Sequence, residues 1–409
     1  FTKNVDLGII TQNDNLRSQL NGRITLDGAG TSLRTMSAIV RVEIDSSSVS
    51  DIPMNRSVVV LDVNDRVVRT HAMATFGTAS YDVSGRMQFH KDSTSFQFNG
   101  RVGSFDLGQL LKSPLYESDL TFELTAEGSW LDAARMRSNA GLTFLPSSFN
   151  KQPFDSATIQ IQYDTRDTVK QSLHLLSDVA DISIDGKFGV GSFISNAAGG
   201  VEVVSKAIAY RARHLDSLRA FLPFQLPDVP RFQAGAGVKP ESINAAYKLS
   251  IHDFYPLGVF LHQKLGGSLH TSGVLAGNID ALRWNGEVVS QDFDCNTPSF
   301  VLGTRNLQAK WNFDGISRSS ILETFTATIE LQPELSRVNE ITMSNIALAL
   351  EAKGNNATYT LSTLLDSTAQ INLTGQLTYR GAFYHVDIPE LKVGFGSFLY
   401  ENSDPISLA

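Results

Sequence analysis

Phe96-Gln-Phe-Asn-Gly-Arg-Val-Gly-Ser-Phe-Asp-Leu-Gly-Gln-Leu-Leu111 is a stretch whose pattern changes halfway along its length. Its first half alternates apolar and polar residues, as a half-buried strand does, and its middle carries two glycines. Its second half spaces leucines like one helical turn, and Asp106 precedes Gln109 at capping-box spacing. The stretch therefore predicts a strand that ends near Val102 and a capped turn that follows it.

Strict apolar–polar alternation recurs along most of the chain, as in antiparallel sheets with one face in apolar surroundings and the other in water. Short clusters of Gly, Asn, Asp and Ser, which are typical of hairpin turns, separate the alternating segments. Clear examples of these segments are Leu120-Thr-Phe-Glu-Leu124, Ala157-Thr-Ile-Gln-Ile-Gln-Tyr163, Leu307-Gln-Ala-Lys-Trp-Asn-Phe313 and Ile371-Asn-Leu-Thr-Gly-Gln-Leu377. The sequence predicts an all-β, mainly antiparallel fold with about 25 short strands of about 5 to 8 residues and a few short helices.

An internal repeat is visible when the sequence is shifted by 100 residues without a gap. Turn residues and strand parity then agree from about residue 6 to residue 64, which is hard to obtain by chance. A more degenerate third copy begins at Asp253. The matching positions of the first two copies are Asp6-Leu-Gly8 with Asp106-Leu-Gly108, Leu20 with Leu120, Gly28 with Gly128, and Pro53 with Pro153.

The repeat predicts a division of the chain into β-groove units joined end to end. The predicted parts are a first unit at 1–105, a second at 106–190, an insert at 191–252 and a third unit at 253–409. The opening stretch is then the joint between the first two units. Glycines inside strands, such as Gly100 and Gly375, predict bulges or bends that let the sheet curl.

The predicted insert breaks the β pattern. Residues 205–222 place Ile208, Leu215, Leu218 and Leu222 near helical spacing, and Pro223 ends the pattern. We interpret this helix as a plug or cap on an apolar sheet face. A helix that lies on a membrane surface is the alternative, but its cations form no dense basic face.

Composition excludes several classes of function. The chain has 409 residues, 42% of them hydrophobic, and its net charge of −8 is spread without blocks, so no footprint for nucleic acid is visible. Cys295 is the single cysteine, so neither an intrachain disulfide nor a thiolate metal site can form. No apolar run approaches the roughly 18 residues of a membrane span. Because the chain begins with Phe1, we expect a fragment or a processed piece.

Catalytic motifs are also missing from the sequence. Nucleophile-elbow, phosphate-loop and metalloprotease motifs do not occur, so we expect a protein that is not an enzyme and that carries no cofactor and no metal. Asp292 and Asp294 beside Cys295 are interpreted as solvated carboxylates of a loop, and Cys295 as a small buried hydrophobe. A carbohydrate-active enzyme on a β scaffold is a weaker alternative, because no pair of carboxylates stands out.

The remaining positive signal is the apolar face of the strands. Such faces can pair into closed β-sandwiches, as in a structural or adhesive surface protein, and this is the main alternative. They can also line an elongated, curled sheet that forms an open apolar groove. On strand parity alone, the predicted groove lining is Phe96, Phe98, Phe122, Leu124, Ile159, Ile161, Ile371 and Leu373.

Several motifs resemble one known family. The capped Asp-Leu turn is followed, after a spacer, by strands such as Leu20-Asn-Gly-Arg-Ile-Thr-Leu-Asp-Gly28 and Phe98-Asn-Gly-Arg-Val102. Trp284-Asn-Gly-Glu-Val-Val289, the segment from Leu302 to Gly315 and the segment from Tyr359 to Tyr379 repeat that cadence. This pattern resembles the AsmA-like superfamily, which includes the TamB translocation and assembly module proteins. The resemblance covers most of the chain except about 190–250.

The resemblance implies a periplasmic envelope protein of a diderm bacterium, anchored in the inner membrane in its full-length form. Such bridge-like lipid-transfer proteins are implicated in moving phospholipid between the inner and outer membranes and in outer-membrane protein assembly. Phospholipids, both membranes and outer-membrane assembly proteins are the implied partners. A carrier must cover the acyl chains of a lipid that crosses water, because a diacyl lipid exposes about 30 methylenes at a cost of about 0.8 kcal/mol each.

Overall fold

The computed structural model describes residues 2–6, 9, 18–32, 34–49, 52–111, 113–132, 135–167, 170–200, 241–261, 263–297, 300–317, 325–380 and 383–408. About three quarters of these residues (74%) lie in strands, the pairing is antiparallel, and the sheet curls. The predicted all-β class is therefore confirmed. The chain divides into two compact units, Phe1–Asp178 and Val179–Ala409, which we call unit 1 and unit 2.

Unit 1 is an antiparallel meander in which most strands pair with the next long strand along the chain. Two short strands, β4 and β11, pair with the beginnings of β2 and β9. The described strands are β1 (Thr2–Val5), β2 (Ser18–Ala29), β3 (Ser37–Ile44), β4 (Ser47–Val49), β5 (Ile52–Asn64), β6 (Val67–Phe76), β7 (Ala79–Phe89), β8 (Thr94–Phe105), β9 (Ser118–Asp132), β10 (Arg135–Phe144), β11 (Ser147–Phe149), β12 (Gln152–Phe154), β13 (Ala157–Asp164) and β14 (Gln171–Ser177).

The joint in the opening stretch is a strand followed by a short helix. Strand β8 continues three residues beyond the predicted end, past Ser104, whose φ of 51° marks a shift in register against β9. Helix α1 (Leu107–Leu111) and a 3₁₀ turn (Pro114–Tyr116) follow. The Asp106 carboxylate accepts hydrogen bonds from the backbone N–H of Gly108 (2.9 Å) and of Ser118 (3.1 Å), so it caps the helix and ties it to β9.

The same hydrogen bonds recur 100 residues apart. Asp6 accepts a bond from the Ser18 N–H (2.9 Å), as Asp106 does from Ser118. The Ser47 hydroxyl accepts a bond from the Asn21 N–H (2.7 Å), and the Ser147 hydroxyl accepts one from the Thr121 N–H (3.0 Å). These matched side-chain contacts support the 100-residue repeat. The division into three β-groove units with an insert at 191–252 stays a prediction.

Unit 2 is likewise built of antiparallel strands and has two described helices, α2 (described over residues 190–200) and α3 (Tyr255–Leu261). Asp253 accepts a hydrogen bond from the Tyr255 N–H (2.9 Å) at the start of α3, as Asp106 does at α1. The described strands are β15 (Ala180–Lys187), β16 (Ile243–Ile251), β17 (Lys264–Gly267), β18 (Leu269–Gly277), β19 (Leu282–Thr297), β20 (Phe300–Ile316), β21 (Thr326–Gln332), β22 (Leu335–Val338), β23 (Ile341–Lys353), β24 (Asn356–Leu365), β25 (Ala369–Arg380), β26 (Phe383–Phe395), β27 (Phe398–Glu401) and β28 (Ile406–Leu408).

Several strands are longer than predicted, because pattern reading splits a strand wherever a glycine or a polar pair interrupts the alternation. Strand β9 has 15 residues, β19 has 16 and β20 has 17. Gly100 is an ordinary member of β8, in regular register with Val83 and Leu124, so the predicted irregularity lies four residues later, at Ser104. Gly375 does lie where the register of β25 against β26 shifts. The predicted helix at 205–222 lies outside the described residues.

Burial differs between the two units. In unit 1 the buried hydrophobic residues among the described ones are small or β-branched: Ala38, Ile52, Val63, Ala79 and Val102. In unit 2 larger side chains are fully buried, with Leu275 at 1% exposure and Leu282 and Ile316 at 0%. A compact core is therefore present in unit 2, whereas the large apolar side chains of unit 1 remain partly open.

Candidate functional site

The register of unit 1 places the six predicted lining residues of this unit on one face of its sheet. Phe98 lies opposite Ala126 on β9, and Phe122 lies opposite Val102 on β8. Leu124 lies opposite Leu142, which lies opposite Ile159. We call the residues of this face the unit 1 apolar face: Ile24, Leu26, Val40, Val42, Val59, Leu61, Val68, Tyr81, Val83, Phe96, Phe98, Phe122, Leu124, Trp130, Leu142, Phe144, Ile159, Ile161, Tyr163, Leu173 and Leu175.

The unit 1 apolar face is half-buried rather than enclosed. Among the side chains that the structure describes in unit 1, no leucine and no aromatic residue is buried. At one end of the face, Ile24 is 58% exposed and Leu26 is 70% exposed. In a closed sandwich the inner faces of two sheets interdigitate and bury such side chains. The unit 1 apolar face is instead a wide, partly exposed apolar surface, which we also call the floor of unit 1.

Aromatic rings border this floor on both sides. On one side the Phe96 ring lies 6.0 Å from that of Phe98 and 5.3 Å from that of Trp130. On the other side the Phe122 ring lies 6.1 Å from Phe105 and 5.5 Å from Phe144. Trp130 and Phe122 are both in β9, so at about 3.4 Å per residue the floor between them is about 27 Å wide. Its centre is aliphatic, with Leu124, Leu142, Ile159 and Ile161.

Glycines make room for several of these rings. A Cβ on Gly85 would overlap the ring of Phe98, which lies across from it on β8. A Cβ on Gly128 would come within 2.8 Å of Phe96 Cζ. The rings therefore lie flat on the backbone of a neighbouring strand and fill the gap that the missing side chain leaves. Sequence reading used these glycines only as repeat markers, although an aromatic residue opposite a glycine is a usable signal once the register is known.

The opposite face of unit 1 is mostly polar and exposed, although the exposed apolar residues Ile39, Met73 and Leu176 also lie on it. It carries Arg86, Gln97, Asn99, Arg101, Glu123, Thr125, Glu127, Arg137, Asn139, Gln160 and Gln162. A shallow depression of about 480 Å³ on this face is lined mainly by Arg86, Gln97, Glu127, Arg137 and Asn139. The lining there is unlike that of the predicted groove, because long charged side chains form its walls. The apolar face, in contrast, is broad and half-buried.

Unit 2 carries an apolar face of its own, which includes the other two predicted lining residues. Leu373 belongs to a row of leucines that crosses five strands, and Ile371 lies one pair further along β25, opposite Val393. The members of this leucine row are Leu331, Leu348, Leu361, Leu373 and Leu391, and all five are half-buried.

Next to the leucine row, the face of unit 2 is aromatic. The Trp284 indole N–H donates a hydrogen bond to the Tyr247 hydroxyl (2.9 Å), and the Trp311 ring lies edge-on to Trp284 at 6.1 Å. Gly273 and Gly286 lie beneath these rings, and a Cβ on either would meet the Tyr247 hydroxyl at 2.7 Å. Burial raises the pKa of Tyr247 above its usual value.

Clustered metal ligands and the single thiol are the first groups to consider for chemistry. No three His, Cys, Asp or Glu side chains in the described part of the chain gather as metal ligands. Cys295 is half-buried, and burial raises the pKa of its thiol, which disfavours the reactive thiolate. Asp292 and Asp294 lie in strand β19 rather than in the predicted loop, and Asp292 forms an exposed ion pair with Arg305 (3.5 Å).

Comparisons of the chain with protein-family models, with curated proteins and with solved structures find no match. The described residues contain no helix that is both long and apolar enough to cross a membrane. The two apolar faces are therefore the features on which a function can be argued.

Proposed function

We propose that this chain is a non-enzymatic lipid-conduit or envelope-assembly protein that holds phospholipid acyl chains along its apolar β faces. The observation that carries the proposal is the unit 1 apolar face, whose leucine and aromatic side chains are half-buried although the strands beneath them are fully paired. Exposed apolar patches larger than a few hundred Å² are rare on monomeric soluble proteins and mark interaction sites. Acyl chains match this floor in chemistry and need no fixed polar partner.

The two-sided character of the sheet supports the same proposal. Most long strands of unit 1 have one apolar side that could cover acyl chains and one mainly polar side that remains in water. A lipid that lies on the floor would leave its headgroup at the open margin, where water solvates it. Covering the acyl chains recovers most of the cost of exposing about 30 methylenes, about 24 kcal/mol for a diacyl lipid. Sliding along a continuous apolar surface needs no catalytic residue.

We place the protein in the periplasm or cell envelope of a diderm bacterium, between the inner and outer membranes. This part of the proposal depends on the resemblance to the AsmA-like superfamily, and the single cysteine is compatible with the periplasm and with the cytosol alike. The proposed partners are phospholipids, the two membranes and outer-membrane assembly proteins.

The proposal is tested with a charge placed in the aromatic border of the floor. Phe122→Asp puts a carboxylate on the apolar face beside Phe105 and Phe144. We expect this variant to retain less than about one tenth of the phospholipid that co-purifies with the unchanged protein, because an unpaired carboxylate strongly opposes a covering of acyl chains. Lipid extraction followed by mass spectrometry measures the bound amount.

The matched control is Thr125→Asp, which adds the same charge to the same strand on the exposed polar face. We expect this variant to bind as much phospholipid as the unchanged protein. Equal lipid content in both variants, or a protein that carries no lipid at all, would contradict the proposal. The second result would favour a structural or adhesive role for the sheet.

A further inference from the structure

Helix α2 lies on the apolar face of unit 2. The Phe193 ring lies 6.1 Å from that of Phe188 and 6.5 Å from that of Tyr247 in β16. A Cβ on Gly200 would be 3.0 Å from Leu282 Cδ2 and 3.8 Å from Trp284 Cε3, so the helix backbone at Gly200 lies directly on β19. The outer side of α2 faces solvent, where Ile194 is 41% exposed.

The region beneath and beside α2 is much more buried than the rest of the unit 2 face. Ile243 is 2% exposed, Leu275 1% and Leu282 0%. The leucine row, which lies further along the same sheet, remains half-buried. The apolar face of unit 2 is therefore covered by a helix of the chain in one part and open in another.

The helix has two features that cost stability. Asn196 is completely buried at 0% exposure, and its side-chain N–H donates to the carbonyl oxygens of Ser192 (2.9 Å) and Glu241 (3.2 Å). Its side-chain oxygen accepts no hydrogen bond from the described residues, which is costly for a buried acceptor. Gly191 weakens the first turn, yet a Cβ there would meet no atom within 4 Å, so close packing does not require glycine.

We propose that α2 is a displaceable cap that occupies an acyl-chain position on the aromatic part of the unit 2 face. The helix covers Tyr247 with the Phe193 ring, and it covers Leu282 and Trp284 with its backbone at Gly200. A lipid would otherwise cover this surface. Lipid and α2 then compete for one floor, and lipid reaches this part of unit 2 when the helix moves away. This inference rests on the proposed lipid-binding function and concerns its regulation.

The three tryptophans of the chain allow each floor to be tested separately. Trp130 reports on the unit 1 apolar face, and Trp284 and Trp311 report on the unit 2 face beside α2. The probe is a vesicle whose phosphatidylglycerol carries brominated acyl chains, which quench indole fluorescence on close approach. Trp130→Phe leaves the unit 2 reporters, and a Trp284→Phe/Trp311→Phe double variant leaves the unit 1 reporter.

Three further changes in the Trp130→Phe protein test the cap. Phe193→Ser removes the ring that contacts Tyr247, and we expect quenching to rise by about twofold or more as the capped population falls. Ile194→Ser makes the same kind of change on the outer side of α2 and should leave quenching unchanged. Gly191→Ala strengthens the helix without a steric conflict and should lower quenching.

Equal quenching in Phe193→Ser and Ile194→Ser would overturn the cap. If the circular-dichroism spectrum shows that Phe193→Ser is unfolded, the test depends on Gly191→Ala alone. Lower quenching in that variant supports the cap, and equal or higher quenching refutes it. The unit 1 reporter separates this inference from the proposed function. If brominated lipid fails to quench Trp130, the lipid function itself is wrong, whereas quenching of Trp130 with no response to the α2 variants refutes the cap alone.

Discussion

At the scale of single residues, aromatic rings that cover glycines shape the floors of both units. Phe98 covers Gly85 in unit 1, and Tyr359 covers Gly375 in unit 2, where a Cβ would overlap the tyrosine ring. In each pair the glycine and the ring lie directly opposite on neighbouring strands. The arrangement keeps the floor smooth, since the ring lies along the sheet rather than standing on it.

Gly85→Ala tests this arrangement. The added methyl group conflicts with the Phe98 ring, so we expect a loss of about 1–3 kcal/mol in the free energy of unfolding, measured by urea titration. The double variant Gly85→Ala/Phe98→Ala should lose less than the sum of the two single losses. Gly394→Ala is the control, because a Cβ there lies 3.8 Å from its nearest neighbour. An equal loss at Gly394 would show that glycine matters for backbone reasons alone.

Which residues share a face was largely predictable at this scale, because successive side chains of a strand point to opposite sides. Phe96 and Phe98, Phe122 and Leu124, and Ile159 and Ile161 were paired correctly on that ground. The rings over glycines were not predicted, since they depend on the register between two strands. Their role as a lipid-contacting surface stays a prediction.

At the scale of elements, aspartates cap two short helices, one at Asp106 and one at Asp253, where the sequence predicts the start of the third copy. Asp106 binds the first turn of α1 and the start of β9, and Asp253 binds the first turn of α3. The capping prediction for Asp106 is confirmed, with one difference in the partner. The carboxylate bonds to the Gly108 N–H, and the Gln109 side chain lies against Gly77 in the turn after β6.

Asp106→Ala tests the cap by removing both hydrogen bonds at once. We expect a loss of about 1–2 kcal/mol in the free energy of unfolding, as for other lost helix caps. Asp106→Asn keeps the oxygen that accepts from Gly108 and Ser118 and should lose clearly less. Urea titrations of the three proteins provide the comparison. Equal losses for the two variants would mean that the charge, and not the hydrogen bonds, stabilises the joint.

Helix α2 is the element that sequence reading missed. Its residues include three glycines, serine and a buried asparagine, which have low intrinsic helix propensity. The helix forms because its apolar side packs on Tyr247 and Leu282, and this tertiary contribution outweighs propensity. The cap that was expected at 205–222 lies outside the described residues, so that expectation stays a prediction.

At the scale of the whole molecule, both units have partly buried tyrosines on their apolar faces. Burial raises the pKa of Tyr81 and Tyr163 in unit 1 and of Tyr247 and Tyr359 in unit 2 above the ordinary value of 10.0. The folded chain therefore holds these phenolic protons more tightly than the unfolded chain does.

This difference predicts that stability falls at alkaline pH. The contribution of the four tyrosines is complete below about pH 10 and is lost as the pH rises through their higher folded-state values. We expect the urea midpoint to fall as the pH rises above about 10, together with the rise in tyrosinate absorbance. Replacing Tyr81 and Tyr163 with Phe should flatten the part of this dependence that belongs to unit 1. An unchanged slope would contradict the assignment.

The class of fold follows from local chemistry. Period-two alternation, turn residues and the 100-residue repeat are properties of neighbouring residues along the chain, so an all-β antiparallel fold and the composition of each strand face were readable without coordinates. The sequence does not show what covers an apolar face. The alternation of apolar and polar residues is the same whether a second sheet, a helix or a lipid lies on that face. The covering of each face depends on contacts between segments that are distant in the sequence, so only the tertiary structure shows it. In that structure the unit 1 apolar face is half-buried, and α2 lies on part of the unit 2 face.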